Sequence, residues 1–129
     1  MTEKIPKRKC PIHKAKLVSS KTRYGTRWSC PESGCTVVCW GSPTSTPADL
    51  ETRQARHRAH EVFDSLWKGD FSIMPKALAF KQLSEFMKLP QKDTHIGFFN
   101  IEQCQQVLLF CRQCRESKVE NANNGSRKN

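Results

Sequence analysis

Apolar side chains recur at helical spacing between residues 46 and 117, and they do not before residue 41. Ala55, Ala59, Val62, Phe63 and Leu66 share one helical face. The helix they predict has Thr46 as N-cap, Pro47 at its first position and Asp49 completing a capping box. Gly69 marks its end. A second helix is predicted from about Pro75 to Leu89 on Ala77, Leu78, Leu83, Phe86 and Met87, stopped by Pro90. A third follows Asn100, with Gln103 as capping partner, and runs to about Ser117. Ile101, Cys104, Val107, Leu108 and Cys111 form its apolar stripe. Residues 10–40 read instead as short strands: Lys16-Leu17-Val18 and Arg27-Trp28-Ser29 flank a turn at Tyr24-Gly25. Residues 41–47 are linker-like, and residues 118–129 are polar enough to read as disordered.

Cysteine chemistry changes this picture. The 129 residues include seven cysteines, an odd number that fits poorly with full pairing. Residues 1–9 are charged and no apolar segment follows them, so no secretory leader is expected; no run is long enough to span a bilayer. The expected location is a reducing cytoplasm, where cysteines hold metals or react rather than pair. Cys10-Pro11-Ile12-His13 has the spacing of a zinc knuckle, and Cys30-Pro31-Glu32-Ser33-Gly34-Cys35 is a second, wider grip. Gly34 supplies the left-handed freedom such a turn needs. Cys10, His13, Cys30 and Cys35 together offer Cys3His, a closed tetrahedral set for one structural Zn2+. Two other readings stand beside it: ordinary buried cysteines, or a zinc site in which Cys39 replaces His13. A segment of about forty residues buries too little apolar surface to fold alone, whereas zinc contributes on the order of 10 kcal/mol. The fold class is therefore α+β. A basic tail (1–9) precedes a zinc ribbon of short antiparallel strands (10–41), a three-helix domain (46–117) and a disordered tail (118–129).

Charge sharpens the function. Lys and Arg number 22 against 12 Asp and Glu, a net charge of +10. Residues 1–45 carry most of the excess. A polyanionic partner follows, nucleic acid before an anionic membrane surface. Between the knuckles, Lys21, Arg23 and Arg27 alternate with Tyr24 and Trp28, and Lys16 lies just before them. Cations of this kind neutralise phosphates and aromatics stack on bases. The plain alternative is a solvated hairpin whose aromatics cover the zinc site. Arg53, Arg56, His57, Arg58 and His60 give the first helix a basic edge, read either as a phosphate track or as a solvated face.

Two resemblances rest on these residues. Cys-Pro-x-His followed by Arg-Tyr-Gly-Thr-Arg-Trp-Ser-Cys-Pro-x-x-Gly-Cys, within residues 10–40, resembles the zinc ribbons ending bacterial type IA DNA topoisomerases. That likeness implies single-stranded DNA binding; His13 stands where those ribbons usually have a cysteine. Over residues 10–110, Cys10–Gly41, Arg58–Lys68, His95–Phe99 and Glu102-Gln103-Cys104 resemble a family of small zinc-finger-containing proteins common in bacteriophages and prophages. This second likeness implies a ribbon fused to a helical domain and a phage setting, with no activity.

No nucleophile–base pair, phosphate-cradling glycine loop or open metal site is evident, so no enzyme is expected. His60, Glu61 and Asp64 lack the ligands of a nuclease metal. Cys111 and Cys114, with His95 or Cys104 completing the set, offer a second metal site beside the reading of Cys104, Cys111 and Cys114 as core thiols. The expected partner is nucleic acid, single-stranded DNA before duplex. The alternative partner is a host protein gripped by Phe98 and Phe99.

Overall fold

The computed structural model describes residues 9–40 and 45–128. The expected basic tail, apart from Lys9, and residues 41–44 of the linker lie outside this range. Strands β1 (Val18–Thr22), β2 (Gly25–Ser29) and β3 (Val38–Trp40) form an antiparallel sheet in the order β1-β2-β3. Helices α1 (Leu50–Asp64), α2 (Lys76–Met87) and α3 (Ile101–Lys128) follow, with two 3-10 turns, Gln91–Asp93 and Ile96–Phe98, between α2 and α3. The α+β expectation is met.

The β1–β2 turn sits at Arg23 and Tyr24, one residue earlier than its sequence signal, because Gly25 opens β2 at φ 115°. The Thr22 hydroxyl accepts from the Tyr24 amide at 3.1 Å and donates to the Gly25 carbonyl at 2.8 Å, closing the turn.

Helix α1 does not begin at Thr46. Its cap is Asp49, whose carboxylate accepts from the Thr52 amide at 2.9 Å. That hydrogen bond holds the Asp49 pKa below its ordinary value, with burial opposing and Arg53 and Arg56 assisting. The Thr46 signal failed because Thr46 is buried and committed elsewhere. Helix α2 keeps Leu83, Phe86 and Met87 of its expected stripe on the core, but differs in its first turns: Ala79 and Ser84 are buried, while Ala77 and Leu78 are exposed. Helix α3 begins as expected. The Asn100 side chain accepts from the Gln103 amide at 2.8 Å, and the Gln103 side chain from the Asn100 amide at 3.0 Å. Its backbone stays helical to Lys128, past the end expected near Ser117, where disorder was anticipated. No proline interrupts residues 101–128, so propagation adds one bond per residue once the helix is nucleated.

Two apolar clusters result. The helical core joins Ala59 and Phe63 of α1, and Leu66 in the turn after it, to Leu83, Ile96, Phe99, Cys104, Val107, Phe110 and Cys111. The ribbon core is Cys10, Leu17, Cys30, Val37 and Cys39, with Ala15, Trp28 and Cys35 against it. Phe99 is 1% exposed, and Phe98 packs on the helical core, so these rings are not surface anchors. Cys104 and Cys111 are core thiols; burial pushes Cys111 up to about 12.

Polar bonds fasten ribbon to helices. Val38 and Ala48 exchange backbone hydrogen bonds at 3.0 and 3.1 Å. Arg53 donates to the Ala48 carbonyl at 3.2 Å and the Thr36 carbonyl at 2.8 Å. Arg56, expected on a basic edge, is buried instead. Its guanidinium donates to Phe99 O (2.7 Å), Thr46 O (2.8 Å) and Thr46 Oγ1 (2.9 Å). Burial lowers its pKa. Its fork thus clamps the linker to the α3 approach, and replacing it strands buried carbonyls at about 1–3 kcal/mol each. Arg56→Met is expected to lower the unfolding free energy of the zinc-loaded protein by roughly 2–4 kcal/mol. Urea denaturation followed by circular dichroism measures this; an unchanged midpoint would refute the clamp.

Candidate metal centre

Each half of the site is a turn closed by its own backbone. In the first, the Cys10 amide donates to the Ala15 carbonyl and the Lys14 amide to the Cys10 carbonyl, both at 2.9 Å. Lys14 takes φ 59°, a left-handed conformation rare outside glycine. In the second, the Cys30 amide donates to Val37 O and the Cys35 amide to Glu32 O, both at 3.1 Å. Gly34 holds φ 78°, as its place in the turn requires. Cys30 directly follows β2, and Cys10 lies beside the Lys9–Lys16 bridge that precedes β1. Both turns therefore meet at the base of the hairpin, opposite its tip.

Cys10, His13, Cys30 and Cys35 bring their donor atoms within 4.8 Å of one another. Cys10 Sγ lies 3.8 Å from Cys35 Sγ and 3.7 Å from His13 Nδ1, and Cys30 Sγ lies 3.6 Å from His13 Nδ1. A tetrahedral zinc with Zn–S near 2.3 Å and Zn–N near 2.0–2.1 Å has S···S edges of about 3.8 Å and S···N edges of about 3.6 Å. These contacts thus have the edge lengths of a zinc tetrahedron. The His13 amide also points at Cys10 Sγ, 3.4 Å away, as suits a thiolate.

Protonation agrees with that geometry. Burial, the largest influence on Cys10, opposes its ionisation. Hydrogen bonds from the His13 and Ile12 amides, the His13 ring and Cys30 outweigh it, leaving Cys10 at about 7. Cys30 is pushed up to about 11 by burial and by the neighbouring Cys35 and Cys10 sulfurs. Three crowded thiols cannot all ionise unaided, and a divalent cation removes that obstacle. The donor set suits one structural zinc ion. Four protein ligands fill the tetrahedron, which marks a structural centre.

Cys39 is not a fourth ligand. It is buried in the ribbon core, and its thiol lies 3.3 Å from the Trp40 carbonyl. No second group of metal donors occurs among the described residues, so Cys104, Cys111 and Cys114 form no site there.

The structure separates the residues expected to bind nucleic acid. Lys16, Lys21, Arg23, Tyr24 and Arg27 are exposed, whereas Trp28 packs against the ribbon core as its cover. Strand alternation divides them further. Ser20 pairs with Arg27 and Arg27 with Trp40; Lys21 pairs with Thr26, and Trp28 with Cys39. Arg27 and Trp40 thus share one face, and Lys21 and Trp28 the other. Trp40 was missing from the sequence expectation. Its signal was the apolar run Val37-Val38-Cys39-Trp40, which marks a strand.

Because the helices own a separate core, chelation is expected to dissolve the ribbon alone. Backbone amide signals of residues 10–40 should collapse while helical circular dichroism persists, and Cys35→Ser should no longer retain zinc at one ion per chain. A chelated protein with unchanged ribbon signals would contradict a metal-dependent fold.

No curated protein and no solved structure matches the chain. One family model does, that of a zinc-finger-containing domain, over residues 8–114. With its cysteine–histidine cluster and the ribbon-plus-helices fold in place, the chain belongs to this family of zinc-finger-containing domains.

Proposed function

We propose that this chain is a nucleic-acid-binding zinc-ribbon protein that prefers single-stranded DNA, acts without catalysing a reaction, and works in the cytoplasm of a bacterium, encoded by a phage or prophage. The observation that carries the reading is the surface of the zinc-braced hairpin. All six cations of residues 9–40 (Lys9, Lys14, Lys16, Lys21, Arg23 and Arg27) are exposed, against Glu32 as the only acid in that stretch. Tyr24 stands 80% exposed at the tip. One Zn2+ with three thiolates adds a single negative charge, so metal loading leaves the ribbon strongly basic.

An exposed aromatic among cations is suited to unstacked bases, which duplex DNA does not offer. The likeness of residues 10–40 to topoisomerase zinc ribbons points the same way, and the longer likeness supplies the phage setting. A rigid hairpin helps because its cations are placed before the strand arrives, which reduces the ordering cost of binding.

A host-protein partner is the second reading. One observation favours it: a shallow groove of about 610 Å³ between α2 and α3, walled by Leu78, Phe86 and Phe110.

The test is fluorescence anisotropy of zinc-loaded protein with labelled single-stranded DNA, duplex DNA and RNA across a salt series. Single-stranded DNA should bind most tightly. Each phosphate contact removed by Arg23→Ala or Arg27→Ala should flatten the slope of log K against log salt by about 0.7. Unchanged affinity in the double variant would dismiss the hairpin surface. No binding at low salt would dismiss the nucleic-acid reading.

A further inference from the structure

The hairpin is not the only basic-aromatic feature. A pocket of about 260 Å³ lies where β3 meets α1, walled by Trp40, Thr46, Arg53, Arg56, His60 and Gly97 among others. It is smaller than the roughly 300–1,000 Å³ of pockets for drug-sized ligands, so it suits one planar group rather than a folded chain. Arg53, Arg56 and His60 are spaced three and four residues apart on α1, which lines them along one helical face. No acidic side chain lines the pocket. Asp49, whose carboxylate feels both guanidiniums, is turned to the Thr52 amide instead. Arg53 and Arg56 are anchored by the neutral oxygens of Ala48, Thr36, Thr46 and Phe99, which fix their positions without neutralising them.

Across the sheet, Arg27 is the register partner of Trp40 and stands on the same face. Trp40 thus has Arg27 as its cross-strand neighbour and shares the pocket wall with Arg53, Arg56 and His60 of α1. A half-buried aromatic in the wall of a pocket bordered by cations suits a nucleotide whose base leaves its strand.

The geometry points to a base-insertion pocket: one nucleotide of a bound single strand stacks on Trp40, its phosphates held between Arg27 and the Arg53–His60 face of α1. The site rests on the proposed nucleic-acid function and assigns it a second contact region beyond the hairpin tip. The bound strand runs from Arg23 and Tyr24 at the tip, past Arg27, to Trp40 and α1, so the ribbon and the helical domain bind it together.

The test uses the full-length, zinc-loaded protein and a labelled oligothymidylate, with zinc content and circular dichroism confirming each variant's fold. Trp40→Leu should weaken binding by roughly 5- to 150-fold, the worth of one base–aromatic stack. Its salt slope should match the wild type, because no phosphate contact is lost. Trp40→Phe keeps a ring and should restore most of the affinity. Photocrosslinking to an oligomer carrying 5-iodouracil should label Trp40, a readout independent of variant folding. If folded Trp40→Leu binds like wild type while Arg23→Ala/Arg27→Ala binds weakly, the pocket is wrong and the hairpin surface stands. Crosslinks at Tyr24 without any at Trp40 would overturn the pocket in the same way. If the wild-type protein does not bind the oligomer, both the pocket and the function it rests on fall.

Discussion

The convergence of Cys10, His13, Cys30 and Cys35 is the constraint on which the ribbon depends. The ribbon's buried cluster holds five residues, and Cys10 and Cys30 are two of them. Without a metal, those thiols are small hydrophobes with little to offer and, if ionised, repel one another. With one, they become the strongest link between two turns separated by sixteen residues of chain. The location of the link matters as much as its strength. It joins the base of β1 to the base of β2 and leaves the five-residue strands to project about 16 Å toward the tip. The tip carries Arg23 and Tyr24, which belong to neither apolar cluster of the described residues, so their placement derives from the metal through the sheet.

A second constraint joins this unit to the helices, and it is polar. β3 is covered by residues 45–48 rather than by an apolar helix face, and Arg53 and Arg56 tie that segment down. Two arginines with neutral partners are an unusual way to fasten a small interface, since burial works against their charge. The arrangement keeps positive charge at the seam between ribbon and α1 while satisfying the carbonyls of the irregular linker. An apolar seam of the same shape would have left Thr46 O and Phe99 O without donors.

How much of this was legible in the sequence depends on how local each signal is. The knuckle spacings, the left-handed Gly34 and the reciprocal Asn100–Gln103 cap are decided within six residues, and all stand as read. Thr46 satisfies the same capping rule on paper. It lost to Asp49 because Arg56 and the Gly97 carbonyl, 10 and 51 residues away, claimed its oxygens. Arg56 itself looked like one more exposed cation, since nothing in the sequence reveals which arginine on a helix meets the loop before α3. The difference at the start of α2 has the same origin. Ala77 and Leu78 satisfy the helical period as well as Ala79 and Phe80 do, and the packing of Phe63 on Phe80 chooses between them.

The residues proposed to contact nucleic acid are a further case of non-local placement, because Lys21, Arg23, Tyr24, Arg27 and Trp28 look like one surface when read along the chain. In a strand, consecutive side chains point to opposite faces, so Arg27 and Trp28 cannot serve the same ligand side by side. Trp28 turns inward to cover the ribbon core, and the aromatic beside Arg27 comes from the neighbouring strand, as Trp40. The basic-aromatic surface is therefore written across strands rather than along one. A ligand that follows it crosses from the hairpin to the Trp40 end of β3, where α1 supplies the next cations. The zinc that squares the hairpin and the arginines that hold α1 against β3 act together here. One fixes the first half of that path, the other the second, and neither half alone reaches both the exposed Tyr24 and the sheltered Trp40.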